Sequence, residues 1–418
     1  FGCRDPSRRE NEVTRMKSDP LLPGSVFGGI LLVSGSCIGA GMLALPIATG
    51  LAGFFPSLVA MFLAWAFMTF TGLILVEISG WFFGQVNLVS MAQESLGATG
   101  KWVAWLSYLF LFYSLLVAYV AASGTIFSDI LKEVFGLSIP GWFGSLLFTG
   151  LFGWIIYLGT KPVDLFNRLL MFGLIAAYIG MVGVGVAKID PKLLLHYAPK
   201  YVFSSLPILV VSFGFQNVIP SLAAYLKGDL RRVRLAIMGG SLMTLAVYLL
   251  WSLLVQGIVP YEGAEGILSS FQQGKEATHA LNAALHSKWL TVFAQGFAFF
   301  AIVTSFLAQG LTLTHFLADG LKISPIASSG RLLTFVALVP PLLFALYDPT
   351  VFFKALNFAG GICAVILFGI LPTAMAWIGR YQKRITSNYH VTGGRTSLIF
   401  AAGFSVFVIA CELMRLAS

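Results

Sequence analysis

The residues best suited to binding a small molecule lie in one stretch, residues 33–46, which reads Val-Ser-Gly-Ser-Cys-Ile-Gly-Ala-Gly-Met-Leu-Ala-Leu-Pro. It holds three glycines, two serines and a proline inside an uncharged apolar run from about residue 27 to residue 63. Glycine in a helix interior costs roughly 1 kcal/mol relative to alanine, and hydrocarbon offers no partner to backbone groups that leave a helix. The stretch predicts a discontinuous membrane helix whose free amides and carbonyls bind a ligand, with close helix packing on its glycines as the alternative. The candidate ligand-binding residues are Ser36, Gly39, Ala40 and Gly41.

A second stretch, residues 207–220, again runs apolar residues into serine, glycine, polar groups and proline. Interrupted apolar segments at matching places in two halves of a chain are typical of transporters with an inverted repeat. Amino ends of half-helices favour a carboxylate and carbonyl-rich ends favour ammonium, so an amino acid is the expected ligand. Within the stretch, the candidate binding residues are Ser212, Phe213, Gly214, Phe215 and Gln216, with the two phenylalanines as an apolar wall.

The composition fixes the class of protein. The 418 residues are 58% hydrophobic and 10% charged, with a mean hydropathy of +0.87, a balance typical of polytopic membrane proteins. The net charge of +9 resides in short loops and does not indicate nucleic-acid binding. Four scattered cysteines support neither a disulfide framework nor a metal site. Five dispersed histidines argue against a membrane-embedded enzyme, and a break within the spans argues for a transporter rather than a channel.

Eleven apolar runs are long enough to span a bilayer, and we number them span 1 to span 11. They are residues 24–49, 55–81, 102–132, 142–160, 168–187, 202–226, 235–259, 288–317, 331–347, 352–378 and 396–416. With the N-terminus inside, eighteen Lys and Arg residues lie inside and eight outside, so the positive-inside rule predicts a cytoplasmic N-terminus and a periplasmic C-terminus. Short helices are predicted within residues 82–100 and 267–285.

The predicted organisation has four parts. Residues 1–20 form a disordered cytoplasmic tail, residues 21–187 the first transmembrane repeat and residues 201–379 the second. Residues 380–418 carry the extra span 11.

Polar groups at apparent membrane depth are further candidates. A charge at the bilayer centre costs about 3 kcal/mol, so Glu77 is predicted to take up a proton or hold a gate, the alternative being a solvated position near the interface. Tyr113 and Tyr119 lie in the middle of span 3, where their hydroxyls could meet the ligand. The hydroxyls of Thr304 and Ser305 could complete an oxygen shell for a cation, or else bond back to their own helix.

Four stretches together resemble the hydroxy and aromatic amino acid permeases: residues 36–46, 159–168, 212–215 and 391–395. The resemblance extends from about Gly24 to the end of the chain. It implies the amino acid–polyamine–organocation fold, which is all-α with two inverted five-helix repeats, discontinuous helices 1 and 6, and one extra helix. It also implies import of aromatic amino acids, tyrosine first and tryptophan second, by cation symport across a bacterial cytoplasmic membrane.

The chain departs from the family at two positions. Relatives carry a lysine on span 5 that stands in for a sodium ion, whereas here residues 169–175 hold no charge. The resemblance therefore leaves room for sodium at the Gly35 and Ile38 carbonyls with Thr304 and Ser305, and a proton remains the other candidate. Gln216 replaces a histidine of the relatives.

Several properties stay open at the level of sequence. Small neutral or hydroxy amino acids such as serine and threonine are the alternative substrates, and they would require a tight pocket. No cofactor beyond the coupling ion is predicted, and oligomeric state is open.

Overall fold

The computed structural model describes residues 24–82, 87–284, 288–322, 328–385 and 389–417. This part of the chain is helical, with 84% of residues in helix and no strand among those described. The expected class, an all-α polytopic membrane protein, is confirmed. The predicted tail, residues 1–20, lies outside the described residues.

The helices follow the predicted spans closely, and we keep the span numbers for them. Spans 1 and 6 are each two half-helices, 1a and 1b, and 6a and 6b. The helices are 1a Val26–Cys37, 1b Ala40–Gly50, span 2 Phe54–Ser79, span 3 Leu88–Phe135, span 4 Gly141–Tyr157, span 5 Thr160–Gly185, 6a Val202–Ser212, 6b Ile219–Tyr225, span 7 Leu230–Gln256, span 8 Lys288–Gly320, span 9 Ser328–Tyr347, span 10 Phe352–Gln382 and span 11 Gly394–Ala417.

Not every helix meets the length expected of a membrane span. Within the described residues, eight helices are long and apolar enough to cross a bilayer, and the bent pair 1a and 1b makes a ninth. The apolar helices Gly141–Tyr157 and Leu332–Tyr347 are shorter. The total of eleven and the division into two inverted repeats therefore remain predictions.

Span 1 breaks where its glycines predict. Half-helix 1a ends at Cys37, half-helix 1b begins at Ala40, and their axes differ by 61°. The freed amide of Ala40 donates to the Ser305 hydroxyl of span 8 at 2.9 Å. This bond satisfies one of the amides that the break frees, which stabilises the interruption at membrane depth.

Span 6 is interrupted in the same way. The helix ends at Ser212, residues 213–215 are not helical, and a 3-10 turn at Gln216–Val218 leads into 6b. Pro220 is at the start of 6b, where its missing N–H costs no helical bond. Both predicted discontinuities are thus present.

Span 10 departs from regular α-helix and supports half-helix 6a. It contains π-helical segments at Ala359–Ala364, Ile366–Ile370 and Ile378–Gln382, a geometry frequent at functional sites. A Cβ added at Gly360 would lie 1.8 Å from the Pro207 carbonyl oxygen. Only glycine allows this approach of span 10 to 6a.

A helical cap covers the end of the molecule at which half-helix 1b terminates. The predicted helix in residues 267–285 is present as two, Ile267–Gln272 and Ala277–Ala284, and both pack against 1b. At the opposite end, the polar stretch before span 3 forms the expected helix, which continues into the span through a kink at Gly97, whose φ is 76°.

Candidate functional site

The breaks of spans 1 and 6 face one cavity of about 70 Å³ near the middle of the helix bundle. Both broken segments and spans 3, 8 and 10 contribute to its wall. The lining residues include Ser36, Cys37, Gly39, Ala40, Gly41, Leu111, Phe112, Tyr119, Ser212, Gly214, Asn217, Ser305, Gln309 and Phe368. Seven of the predicted binding residues are therefore brought together here: Ser36, Gly39, Ala40, Gly41, Tyr119, Ser212 and Gly214.

The two broken spans touch one another beside this cavity. A Cβ added at Gly41 would lie 3.4 Å from the Ser212 hydroxyl oxygen, and that hydroxyl donates to the Gly41 carbonyl at 3.4 Å. A Cβ added at Gly39 would lie 2.5 Å from the Ser305 hydroxyl oxygen. The glycines thus allow close packing in addition to the break, and binding of a ligand at the break stays a prediction.

Side chains of span 7 donate hydrogen bonds to main-chain carbonyls at both breaks. The Tyr248 hydroxyl lies 2.7 Å from the Cys37 carbonyl oxygen and 2.8 Å from that of Ser212, and donates to them. The Trp251 indole N–H donates to the Met42 carbonyl at 2.9 Å. Tyr248 and Trp251 are fully buried, so span 7 fixes main-chain atoms of both 1a and 6a.

Two polar side chains at the cavity are suited to hydrogen bonding with a ligand. The side-chain oxygen of Gln309 is buried and has no hydrogen-bond partner within the described part of the chain. Tyr119 of span 3 also lines the cavity and is 5% exposed. Because an unpaired buried acceptor costs free energy, a ligand donor reaching Gln309 would be favoured.

A wider vestibule of about 780 Å³ adjoins the cavity and opens at the end of the molecule that carries Lys101 and Lys322. The two spaces share Phe112 and Asn217 in their walls. Aromatic side chains of spans 3 and 8 line the vestibule, namely Trp102, Trp105, Tyr108, Phe112 and Phe316. Gln216 also borders it, while its amide nitrogen donates to the Met68 carbonyl at 3.0 Å.

Three predicted aromatic binding residues do not line the cavity in this conformation. Phe213 is buried against the Tyr248 ring, with 5.0 Å between the ring centroids. Phe215 packs where Gly72 of span 2 leaves space for its ring. The Tyr113 hydroxyl donates to the Val336 carbonyl of span 9 at 2.8 Å. Packing against spans 2, 7 and 9 directs these three side chains away from the cavity, which the sequence pattern did not indicate.

The predicted cation ligands lie on facing elements, spans 1 and 8. The Thr304 hydroxyl donates back to the Phe300 carbonyl at 2.8 Å, which is the bonding that the alternative interpretation expected. The hydroxyl oxygen of Ser305 accepts from Ala40, as described above. Gly35 lies in the last turns of 1a, and a Cβ added there would be 3.9 Å from the Met171 methyl of span 5. Ile38 is the C-cap residue that directly follows 1a.

Glu77 lies away from the cavity and within a buried ion-pair cluster. The Arg380 Nε donates to one carboxylate oxygen at 2.7 Å, and a second guanidinium nitrogen donates to the other. The Val391 N–H donates at 2.8 Å, and His390 Nδ1 lies 3.1 Å away. Glu77 is fully buried and the Arg380 side chain is 8% exposed. The carboxylate is thus neither solvated nor in contact with the cavity, and it ties span 2 to span 10 and to the segment before span 11.

The helical cap contains a second cluster of charges. His279 Nδ1 lies 3.5 Å from an Asp129 carboxylate oxygen at the end of span 3, and its Nε2 lies 3.8 Å from Glu265. The hydrogen bond with Asp129 is the main cause that raises the pKa of His279. Burial raises the pKa of Glu276, while its hydrogen bonds with Thr278 oppose the shift. The cap is therefore joined to span 3 by a contact that depends on protonation.

The binding residues predicted from the sequence did not include Tyr248 and Trp251 of span 7, nor Gln309, which stood out only as a polar residue of span 8. A tyrosine and a tryptophan three residues apart in the apolar run of span 7 put two hydrogen-bond donors on one helix face. That spacing was the available signal for Tyr248 and Trp251. Gln309 follows the Thr304–Ser305 pair by about one helical turn, and its amide in an apolar span was a similar signal.

Comparisons of the sequence with known proteins identify transport proteins as relatives of this chain. The sequence profile of the tryptophan/tyrosine permease family matches residues 23–412. The chain is 33% identical to the tyrosine-specific transport system 1 of Haemophilus influenzae, covering 91% of this chain and 94% of that protein. It is 31% identical to the tryptophan-specific transport protein of the same organism, covering 93% and 96%. It is 26% identical to the low affinity tryptophan permease of Escherichia coli, covering 93% and 95%.

Proposed function

Since the chain belongs to the tryptophan/tyrosine permease family, we propose that it imports aromatic amino acids by cation symport across a bacterial inner membrane. Membership of a permease family means that the protein is a transporter and not an enzyme. Tyrosine and tryptophan are the proposed substrates, because the relatives named above are tyrosine-specific and tryptophan-specific transport proteins.

The observation that carries this proposal is the meeting of both broken spans at one cavity. The carboxyl ends of 1a and 6a present the carbonyls of Cys37 and Ser212 beside it, where an ammonium group would be stabilised. The dipole at the amino end of 1b would stabilise a carboxylate, although the Ala40 N–H already donates to Ser305. A zwitterionic α-amino acid carries both groups and matches both ends.

Alternating access would explain the unequal sizes of the two spaces. With the predicted orientation, the vestibule opens to the cytoplasm and the helical cap closes the periplasmic side, which is an inward-facing arrangement. The cavity of about 70 Å³ is small, since ligand pockets usually measure about 300–1,000 Å³. We propose that movement of spans 1 and 6 enlarges it when substrate binds.

Two further observations bear on the choice of side chain. The unpaired Gln309 oxygen would accept from the phenol O–H of tyrosine or the indole N–H of tryptophan, and Phe112 would contact the ring. The tight cavity, in contrast, favours the second candidate function, import of small hydroxy amino acids such as serine or threonine. The aromatic lining of the adjoining vestibule and the specificity of the relatives support the aromatic assignment.

The coupling ion is proposed to be sodium, with a proton as the competing candidate. The apolar Met171 lies beside Gly35, where a positive side chain would exclude a cation. The lone pairs of the Thr304 and Ser305 hydroxyls and the carbonyls of Gly35 and Ile38 are oxygen ligands of the kind that hard cations prefer. Glu77 is bound to Arg380, so it is poorly placed to carry a proton.

Uptake of labelled tyrosine, tryptophan and serine into proteoliposomes tests the proposal, with sodium and proton gradients imposed separately. We expect tyrosine or tryptophan to accumulate under a sodium gradient, and Thr304→Ala to abolish the sodium dependence. Thr314→Ala is the matched control, because Thr314 is as buried as Thr304 and its hydroxyl makes the same bond to its own helix, at Gly310, while the residue lines neither the cavity nor the vestibule. Proton-driven uptake would reject sodium, and uptake of serine alone would reject the aromatic assignment.

A further inference from the structure

One hydroxyl group meets the carbonyl ends of both broken helices. The Tyr248 hydroxyl is 2.7 Å from the Cys37 oxygen and 2.8 Å from the Ser212 oxygen. Cys37 is the last residue of 1a and Ser212 is the last residue of 6a. The last carbonyls of a helix lack partners within it, so Tyr248 gathers two free carbonyls from different halves of the chain at one point.

The stoichiometry of this contact leaves acceptor capacity free. A phenol hydroxyl donates one proton, whereas each carbonyl oxygen offers two lone pairs. One hydroxyl therefore orients both oxygens without saturating either. Cys37 and Ser212 also line the cavity, so the remaining lone pairs are available to a ligand with several N–H donors.

Tyr248 itself does not contact the cavity. It is fully buried, with its ring packed against Phe213, and the cavity wall does not include it. Its effect on a ligand would therefore pass through the carbonyls that it holds.

We propose that Tyr248 is a positioning residue for substrate recognition, whose hydroxyl holds the Cys37 and Ser212 carbonyls convergent so that they bind the α-ammonium group. The inference rests on the proposed amino acid transport, which it deepens by assigning ammonium selectivity to span 7. The carbonyl dipoles of two half-helices add at this point, and fixing them in advance removes the cost of ordering them when substrate binds.

The test compares two ligands in purified protein by displacement of labelled substrate. One ligand is tyrosine, and the other is its des-amino analogue, which keeps the phenol and the carboxylate but carries hydrogen in place of ammonium. Tyr248→Phe removes only the hydroxyl and keeps the ring. Tyr178→Phe is the matched control. Its hydroxyl donates at 3.0 Å to the carbonyl of Val247, the residue before Tyr248, and does not contact either break.

We expect wild-type protein to prefer tyrosine over the analogue. Tyr248→Phe should reduce this preference about tenfold or more, which is the effect of losing one hydrogen bond between the ligand ammonium group and a carbonyl. Binding of the analogue should stay unchanged, and Tyr178→Phe should behave as wild type. If both ligands lose affinity equally in Tyr248→Phe, the residue acts through packing alone and the inference is overturned. Tighter binding of tyrosine to the variant would also overturn it, because the hydroxyl would then compete with the ammonium group.

Two outcomes separate this inference from the proposed function. If wild-type protein binds serine and not tyrosine, the aromatic assignment fails, and the same ratio measured with serine and its des-amino analogue still decides the role of Tyr248. If Tyr248→Phe does not fold, Tyr248→Met replaces it, since methionine also fills apolar space and has no donor for the carbonyls. A folded methionine variant that loses the ammonium preference supports the inference, and one that keeps the wild-type preference contradicts it.

Discussion

Replacing Glu77 by glutamine should destabilise the protein and leave its coupling ion unchanged. The amide side chain of Glu77→Gln would keep an oxygen for the Val391 N–H, but it would leave the Arg380 guanidinium without its counter-charge. The pair is deeply buried, with exposures of 0% for Glu77 and 8% for Arg380. Removing one partner of such a pair costs about 3–5 kcal/mol, because the other charge stays buried and uncompensated.

The assay is thermal unfolding of the purified protein, with two variants as controls. In the double variant Glu77→Gln/Arg380→Gln no charge is left uncompensated, so it should recover about 1–3 kcal/mol relative to Glu77→Gln. Glu412→Gln removes the charge of another fully buried carboxylate, whose ion-pair partner Arg415 is 27% exposed. Because the Arg415 charge can be solvated, we expect a smaller loss of stability there.

The same preparations distinguish a structural from a transport role. In proteoliposomes, Glu77→Gln should keep the ion dependence of wild type at a temperature where it is folded. A Glu77→Gln variant that unfolds at the same temperature as wild type but loses proton-driven uptake would refute this reasoning, since Glu77 would then carry the proton.

Three further predictions address the span contacts, the cavity and the cap. Gly360→Ala should lower the free energy of unfolding by about 3 kcal/mol, whereas Gly403→Ala, where a Cβ meets no atom within 4 Å, should not; equal effects would contradict the close contact of span 10 with 6a. Gln309→Leu should reduce discrimination between tyrosine and phenylalanine in competition assays, and unchanged discrimination would exclude a bond to the phenol. His279→Gln should lower the unfolding temperature most below about pH 6.5, the ordinary pKa of histidine. Because the folded-state pKa is raised by Asp129, this stabilisation is complete below the unfolded pKa and is lost as pH rises through the folded value. A difference in unfolding temperature between wild type and His279→Gln that does not change with pH would contradict this prediction.

The breaks in spans 1 and 6 could be predicted because the residue types there disfavour a helix locally. Glycine, serine and proline in an otherwise unbroken apolar run weaken the helix regardless of tertiary context, and residues 38–39 and 213–215 leave it as expected. The spans were recognised for a related reason, since length and hydropathy act locally.

The direction of side chains at the breaks could not be predicted. In a three-residue segment without helical geometry, orientation depends on the neighbours, and Phe213 meets Tyr248 while Phe215 meets the space above Gly72. The partner of Glu77 is 303 positions away in sequence. A single sequence contains no signal that pairs residues so far apart, so its ion pair was visible only in the fold.

Photolabelling with an aryl-azide analogue of phenylalanine, followed by mass spectrometry of the labelled peptides, tests most directly whether substrate binds where the two broken spans meet. We expect labels on residues 36–41, 111–119 and 211–217, and we expect excess tyrosine or tryptophan to prevent them. Protected labels confined to the helical cap, or to vestibule residues such as Trp102, would contradict this expectation.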